Sequence, residues 1–369
     1  MKRWQLLLSK VEDRTMHPYK KQPDHAFWAR AVGRVATTDV DPIVQPAFRI
    51  DKQTKIAAAG SCFAQHLARY LQLSGFNYMV TETPHPLIVE EISRKFNYGN
   101  FTARFGNVYT AKQLLQLFLR VFNEFSPAED VWQGKNGRFY DPFRPQIQPN
   151  GYATLLEYTR DRERHFAAVR EMFRTVEVFI FTLGLTEAWM SARDGAVYPL
   201  CPGVAAGTFD PALHQFKNFR LAEVVQDLGA FYGRLKELNP GAKMLLTVSP
   251  VPLVATAENR HVLQSTVYSK SVLRVACQEL QESYDDIHYF PSYEIICGHH
   301  TKGMFFEDDK RSVAERGVDH VMGLFFKHYA NIHVDFSKAA PSSPVVAACD
   351  CSESERLAQA LCDEELLDS

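Results

Sequence analysis

No stretch of this 369-residue sequence approaches the ~18 consecutive apolar residues of a membrane-spanning helix, so no transmembrane segment is expected. An excess of either charge is missing too: 41 basic residues face 43 acidic ones, for a formal net charge of −2. Such a chain has no basic field to hold nucleic acid or an anionic membrane surface. Cysteine is sparse and unpatterned. The seven, Cys62, Cys201, Cys277, Cys297, Cys349, Cys351 and Cys362, are odd in number and contain no Cys-x-x-Cys pair. They read as free thiols of a reducing compartment, and Cys349-x-Cys351 lacks the His partners of a zinc site. There is no Gly-x-Gly-x-x-Gly after a strand, no Walker loop and no His-Glu-x-x-His, so neither a cofactor nor a metal is expected. Internal repeats are absent. At the N-terminus the apolar run Trp4 to Leu8 is too short for a signal peptide, and Glu12-Asp13-Arg14 follows closely. The expected location is cytoplasmic.

What is present is ordinary globular material: 46% apolar, 23% charged, and 12% aromatic with 26 Phe. Residues 1–45 are polar with scattered aromatics and prolines, and read as an extended arm. Residues 46–336 read as one domain with a helical insertion at about 87–174. Residues 337–369, rich in Ala, Ser, Pro, Asp and Glu, read as a disordered tail with a weak helix near 353–367. Within the domain, Lys55 to Ala59 is a short apolar run, Gly60-Ser61 a turn, and Phe63 to Leu71 a helix. Phe76 to Thr81 reads as a second strand. Val176 to Leu183, Lys243 to Val248 and Ile287 to Phe290 read as buried strands. Helices are expected over 152–174, 221–238, 268–284 and 317–329, and residues 190–218 as irregular chain. Strands alternating with helices predict a three-layer α/β/α domain on a parallel, flavodoxin-like sheet. In such sheets functional groups gather at the carboxyl ends of strands, here Gly60-Ser61, Gly184 to Glu187 and Ser249-Pro250.

Ser61 is the first chemical candidate. A serine between a strand and a helix sits at the positive end of the helix dipole, and Gly60 lets the chain turn sharply. The N–H groups of Ser61 and Cys62 are then available to a developing oxyanion. The plainer alternative is a helix N-cap. Cys62 is a rival nucleophile, because a thiolate is favoured at a helix N-terminus.

Gly60-Ser61-Cys62-Phe63-Ala64 resembles the signature pentapeptide of the GSCFA-domain family. The resemblance continues through Gln65-His66, Phe181 to Trp189, Ser249 to Pro252, Tyr268 to Ser271 and Tyr289 to Glu294, covering roughly residues 40–330. That family is similar to the SGNH esterases, and the resemblance implies an SGNH-like fold with Ser61 as nucleophile. It also implies that Gly184-Leu185-Thr186-Glu187 takes the Gly-x-Asn-Asp position, with Thr186 replacing Asn. Gly106, followed by Asn107, is the expected middle glycine of the oxyanion hole. At the Asp-x-x-His position the sequence reads Asp309-Lys310-Arg311-Ser312, with Ser where the basic His belongs. His320, one turn into the last helix, is the expected substitute, oriented by Asp309. His66, His85, His299 and His300 are the other candidates.

The function expected from this resemblance is a serine esterase or O-acyltransferase acting on a carbohydrate or polysaccharide acyl ester. The missing Asp-x-x-His leaves open a non-catalytic carbohydrate-binding or accessory protein on a degenerate SGNH fold. A thioester-using acyltransferase, with Lys270 or Arg144 near a carrier phosphate, is a third possibility. Lys270 reads equally well as a solvated helix lysine. The loop Arg138 to Pro145 reads either as an aromatic, basic binding loop or as a packed surface loop. Glu187 and Trp189 are read either as a cleft wall or as a helix-starting acid and a core aromatic.

Overall fold

The computed structural model describes residues 17–330, 332 and 363–367. Of the expected arm, residues 18–39 make four short helical turns, with Trp28 stacked on His299 at 5.0 Å. The expected tail, with Cys349, Cys351 and Cys362, lies outside the described residues except for the turn Asp363–Leu367. Among the described residues no helix is long and apolar enough to cross a membrane.

In chain order the elements begin with β1 (Ile56–Gly60), α1 (Phe63–Leu73), α2 (Glu90–Lys95) and α3 (Ala111–Val121). There follow the ribbon β2 (Trp132–Gln133) and β3 (Phe139–Tyr140), α4 (Leu155–Thr175), β4 (Val178–Leu183), β5 (Glu187–Ser191), β6 (Val197–Tyr198) and β7 (His214–Asn218). The chain then forms α5 (Leu221–Leu238), β8 (Lys243–Val248), α6 (Val262–Ser283), β9 (Ile287–Tyr289), α7 (Ser292–Cys297) and α8 (Glu315–Phe325). Helix starts follow local chemistry. Thr110 accepts from the Gln113 N–H at 3.2 Å while the Gln113 side chain accepts from the Thr110 N–H at 2.9 Å, a reciprocal cap that begins α3. Thr154 caps α4 by accepting from the Glu157 N–H.

β1, β4, β8 and β9 form a four-stranded, all-parallel sheet in that order. Side-chain alternation sends Ala57, Phe179, Phe181 and Leu246 to one face, where α3, α4, α5 and α6 cover them. Ile56, Val178, Ile180 and Leu245 go to the other face, under α1, α7 and α8. Burial on both faces explains why these strands read as unbroken apolar runs. The architecture is the expected three-layer α/β/α.

The structure differs from the sequence reading in two places. Phe76 to Thr81 contributes only the parallel bridge of Tyr78 to Ile56 at the free edge of β1. Residues 190–218 are not irregular. β6, β5 and β7 pair as an antiparallel sheet turning at Asp194-Gly195, where Gly195 has φ +74°. The prolines of that stretch hid the pattern, because they fall between the strands.

Beneath the site lies a buried ionic cluster. Arg104, 1% exposed, donates to Asp161 at 2.9 Å and to the carbonyls of Phe96 (2.8 Å) and Ile147 (3.0 Å). Arg144 donates to Asp141 (2.7 Å) and Asp161 (2.6 Å). The loop Arg138 to Pro145 therefore turns its Arg144 inward to three carboxylates, counting Glu82 at 4.0 Å, and cannot offer it to a phosphate. His165 joins at Glu82 through Nδ1, at 2.8 Å. Burial and the neighbouring Arg144 lower the pKa of its imidazole, with the Glu82 carboxylate opposing them. Burial alone would raise the Glu82 carboxyl, but His165 and the two arginines hold it down to about 2.

This cluster makes the fold acid-sensitive with a defined sign. Glu82 has a lower pKa folded than its ordinary value of 4.5, so its contribution is complete above that value and is lost as pH falls toward about 2. Urea unfolding of the wild type is expected to weaken steeply through this window. Glu82→Gln should start less stable but show a slope shallower by about one proton. Parallel slopes for the two proteins would show that Glu82 is not the group responsible.

Candidate active site

The register of the central strands assembles the site. Gly60 pairs with Thr182, and Ser61 N–H donates to the Thr182 carbonyl at 3.1 Å. Ser249 N–H donates to the Leu183 carbonyl at 2.9 Å. Ser61, Gly184 and Ser249 thus stand side by side at the carboxyl edge of β1, β4 and β8. Gly60 has φ +147°, and a Cβ there would lie 2.4 Å from the Thr182 carbonyl oxygen, so only glycine fits this crossing. The loop before α3 is stitched to the same edge. Val108 N–H donates to the Gly60 carbonyl (2.8 Å), and Gly184 N–H to the Tyr109 carbonyl (2.9 Å).

Ser61 is 3% exposed, and its Oγ is buried with no hydrogen-bond partner. It is not a cap: the N-cap position of α1 is Cys62, which makes no side-chain cap bond. A Cβ on Gly184 would come 3.1 Å from the Ser61 Cβ, which shows how closely the β4 turn covers the serine. Beside Ser61 is a cavity of about 10 Å³, room for one water. Its lining includes Cys62, Tyr109, Gly184, Ser249, Leu253 and Lys270.

Of the two readings of Lys270, the structure overturns one. It is not a solvated lysine. It is 2% exposed on α6, and its Nζ donates to the Gly184 carbonyl at 2.5 Å. Tyr109 was missed because it belongs to no motif.

The expected oxyanion residues divide into two groups. The Thr186 hydroxyl donates to Asn218 at 2.7 Å and its N–H to Ser269 Oγ at 3.0 Å. The N–H groups of Ser61 and Gly184 are engaged as described above. Cys62, the N-cap of α1, lines the Ser61 cavity, whereas Gly106, with φ +70°, packs beside Arg144 and is not among the cavity residues. Asn107 is buried and accepts from the Gln65 amide at 3.1 Å. Glu187 opens β5 instead of a helix and accepts from the Thr256 hydroxyl at 2.8 Å; burial, with Glu258 nearby, raises its pKa. Trp189 packs edge-on against Phe209 and Phe216.

The structure does not join Asp309 to a histidine by a hydrogen bond. Asp309 accepts from the Ser312 hydroxyl (2.6 Å) and from the N–H groups of Arg311 and Ser312, as the anchor of a tight turn. The His320 ring stacks on Phe305 at 5.1 Å, and burial lowers its pKa. His66 faces a separate groove, and burial together with Arg69 lowers its pKa to about 4. His85 is exposed and accepts from the Leu87 N–H. His299 stacks on Trp28, and His300 follows it in the same short turn. None of these residues lines the Ser61 cavity.

A groove along α1 has a volume of about 980 Å³. Gln65, Gln72, Asn97, Asn100, Gln148 and Tyr98 are among its walls. Gln65, four residues past Ser61, lines the groove, but the groove and the Ser61 cavity share no lining residue.

A search of curated proteins gives no match. The model of the GSCFA family matches residues 55–325, a span that runs from the strand before Ser61 to the end of α8. The chain belongs to the GSCFA family.

Proposed function

We propose that this protein is a serine-dependent esterase or O-acyltransferase acting on a carbohydrate or polysaccharide acyl ester, with Ser61 as nucleophile. The observation that carries the reading is the Ser61 hydroxyl itself, buried and unpartnered at a strand-to-helix turn. An unmet buried hydroxyl costs about 1–3 kcal/mol, and such groups are retained where chemistry uses them. The positive end of α1, at Cys62, and the Gly106 turn are the oxyanion candidates. The amide-rich lining of the α1 groove, set beside Arg69, Glu90, Arg94 and Lys95, supports a carbohydrate, whose hydroxyls pair with primary amides. The cavity is too small for an acyl group as it stands, so substrate binding requires it to widen.

The test is acetate release from an O-acetylated oligosaccharide and from p-nitrophenyl acetate, by wild type and by Asn97→Ala. The sugar ester is expected to show a KM at least about tenfold below that of the aryl ester, a gap worth ~1.4 kcal/mol of groove contacts. Asn97→Ala should raise KM for the sugar ester alone. Acceleration by an added sugar acceptor would assign transfer over hydrolysis. Binding of the oligosaccharide without turnover would favour the accessory-protein reading, to which the commitment of Asp309 to Ser312 already lends support.

A further inference from the structure

The Ser61 cavity holds a single basic side chain among its lining residues, and it is not a histidine. We infer that Lys270 is the general base that takes the Ser61 proton, in the role the absent Asp-x-x-His histidine would fill. This inference rests on the reading of Ser61 as a nucleophile.

Three observations support it. Lys270 and Ser61 line the same cavity, and the carbonyl that receives the Lys270 N–H belongs to Gly184, the residue packed against the Ser61 side chain. Lys270 is almost fully buried, so its amine meets the cavity and not bulk water, and the step uses its neutral form, the one able to accept a proton. A neutral amine has two N–H groups and one lone pair, so it can keep one N–H on Gly184 while the lone pair turns to Ser61. The thiol of Cys297, which donates to the Pro250 carbonyl at 3.4 Å, does not compete. Burial holds its pKa up to about 12, so it stays protonated.

The Ser61 hydroxyl has no partner in the described geometry, so transfer requires a rotation within the four-carbon lysine stem. Such contacts commonly tighten only when substrate is bound. In the step itself, the Ser61 O–H proton passes to Lys270 Nζ as Oγ bonds to the acyl carbon and the carbonyl π pair moves to oxygen. On collapse the ester C–O bond breaks, and the leaving alkoxide takes the proton back from the Lys270 ammonium. Water, or an acceptor hydroxyl, then gives its proton to Lys270 and its oxygen to the acyl carbon, and Ser61 leaves reprotonated.

The experiment is the rate of fluorophosphonate labelling of the full-length protein in parallel preparations of wild type, Ser61→Ala, Lys270→Met, Lys270→Arg, Lys270→Ala and His320→Ala. Circular dichroism checks that each is folded. Wild type should label and Ser61→Ala should not. Lys270→Met and Lys270→Arg should both label at least about 100-fold more slowly, the usual loss on removing a general base. Arg keeps the charge but cannot give up its proton, so it separates a base from a structural cation. Added methylamine should partly restore Lys270→Ala, and His320→Ala should stay within about threefold of wild type. Wild-type rates in Lys270→Arg, or loss in His320→Ala with Lys270→Met unaffected, would overturn the role of Lys270 and leave Ser61 standing. No labelling of wild type, or equal labelling of Ser61→Ala, would remove the nucleophile and the base assignment with it. Should Lys270→Met and Lys270→Ala fail to fold, Lys270→Arg alone decides between base and structural cation.

Discussion

Ser61→Ala is expected to abolish fluorophosphonate labelling and lower ester turnover by about four orders of magnitude or to background, while the protein stays as stable as the wild type or gains slightly. The activity loss follows from removing the attacking oxygen, after which only binding and oxyanion contacts remain. The stability half of the prediction is the more discriminating. Ser61 Oγ is buried and makes no hydrogen bond, so its removal deletes an unmet polar group and leaves a methyl in its place. By the usual cost of such a group the change is zero to about 1 kcal/mol in favour of folding. Activity loss together with unchanged or raised stability marks a residue kept for chemistry. A fall in unfolding free energy of more than about 2 kcal/mol would instead make Ser61 a structural residue, and the esterase reading would lose its main support.

Arg104→Met is expected to cost about 3–5 kcal/mol in urea unfolding, the loss typical of removing one partner from a buried ion pair. Arg104 binds Asp161, Glu82 and two backbone carbonyls, so methionine leaves both carboxylates with Arg144 as their remaining guanidinium and takes the donor from both carbonyls. The effect should reach the site. Arg104 begins the segment that runs through Gly106 to Tyr109, and its carbonyl accepts from Arg144 at 3.3 Å. That segment holds the Gly60 carbonyl through Val108 and the Gly184 N–H through Tyr109. Surviving folded protein should therefore label more slowly with fluorophosphonate. A loss below about 1 kcal/mol would mean that the cluster is solvated in practice. Wild-type labelling rates in a destabilised variant would separate the cluster from the site.

Why the sequence misread parts of this chain follows from where the deciding contacts lie. The strand β5 to β7 sheet pairs residues across loops with prolines, so no local period announced it. His165, buried beside the Glu82 carboxylate, was overlooked although a signal was present. It falls on the face of α4 shared by Tyr158, Val169 and Met172. Asp309 was placed by its motif position, but its carboxylate is taken up by the two residues and the hydroxyl that follow it, as aspartates in turns commonly are. Thr186 likewise occupied the matching motif position, yet its hydroxyl serves Asn218 across the β5–β7 pair.

The sequence by itself determined the layered α/β class and the three strand ends where chemistry is to be sought. Strand runs buried on both faces and a Gly-Ser turn before an amphipathic helix are local patterns, readable without neighbours. It determined Ser61 as the position to test for the same reason. Only the tertiary structure decided that the Ser61 hydroxyl is unpartnered, that Thr186 and Arg144 are committed elsewhere, and that Lys270 is buried beside Gly184. Those outcomes depend on which side chains from distant segments come together when β1, β4 and β8 align. A helix lysine has the same local signature whether water or a protein interior surrounds it.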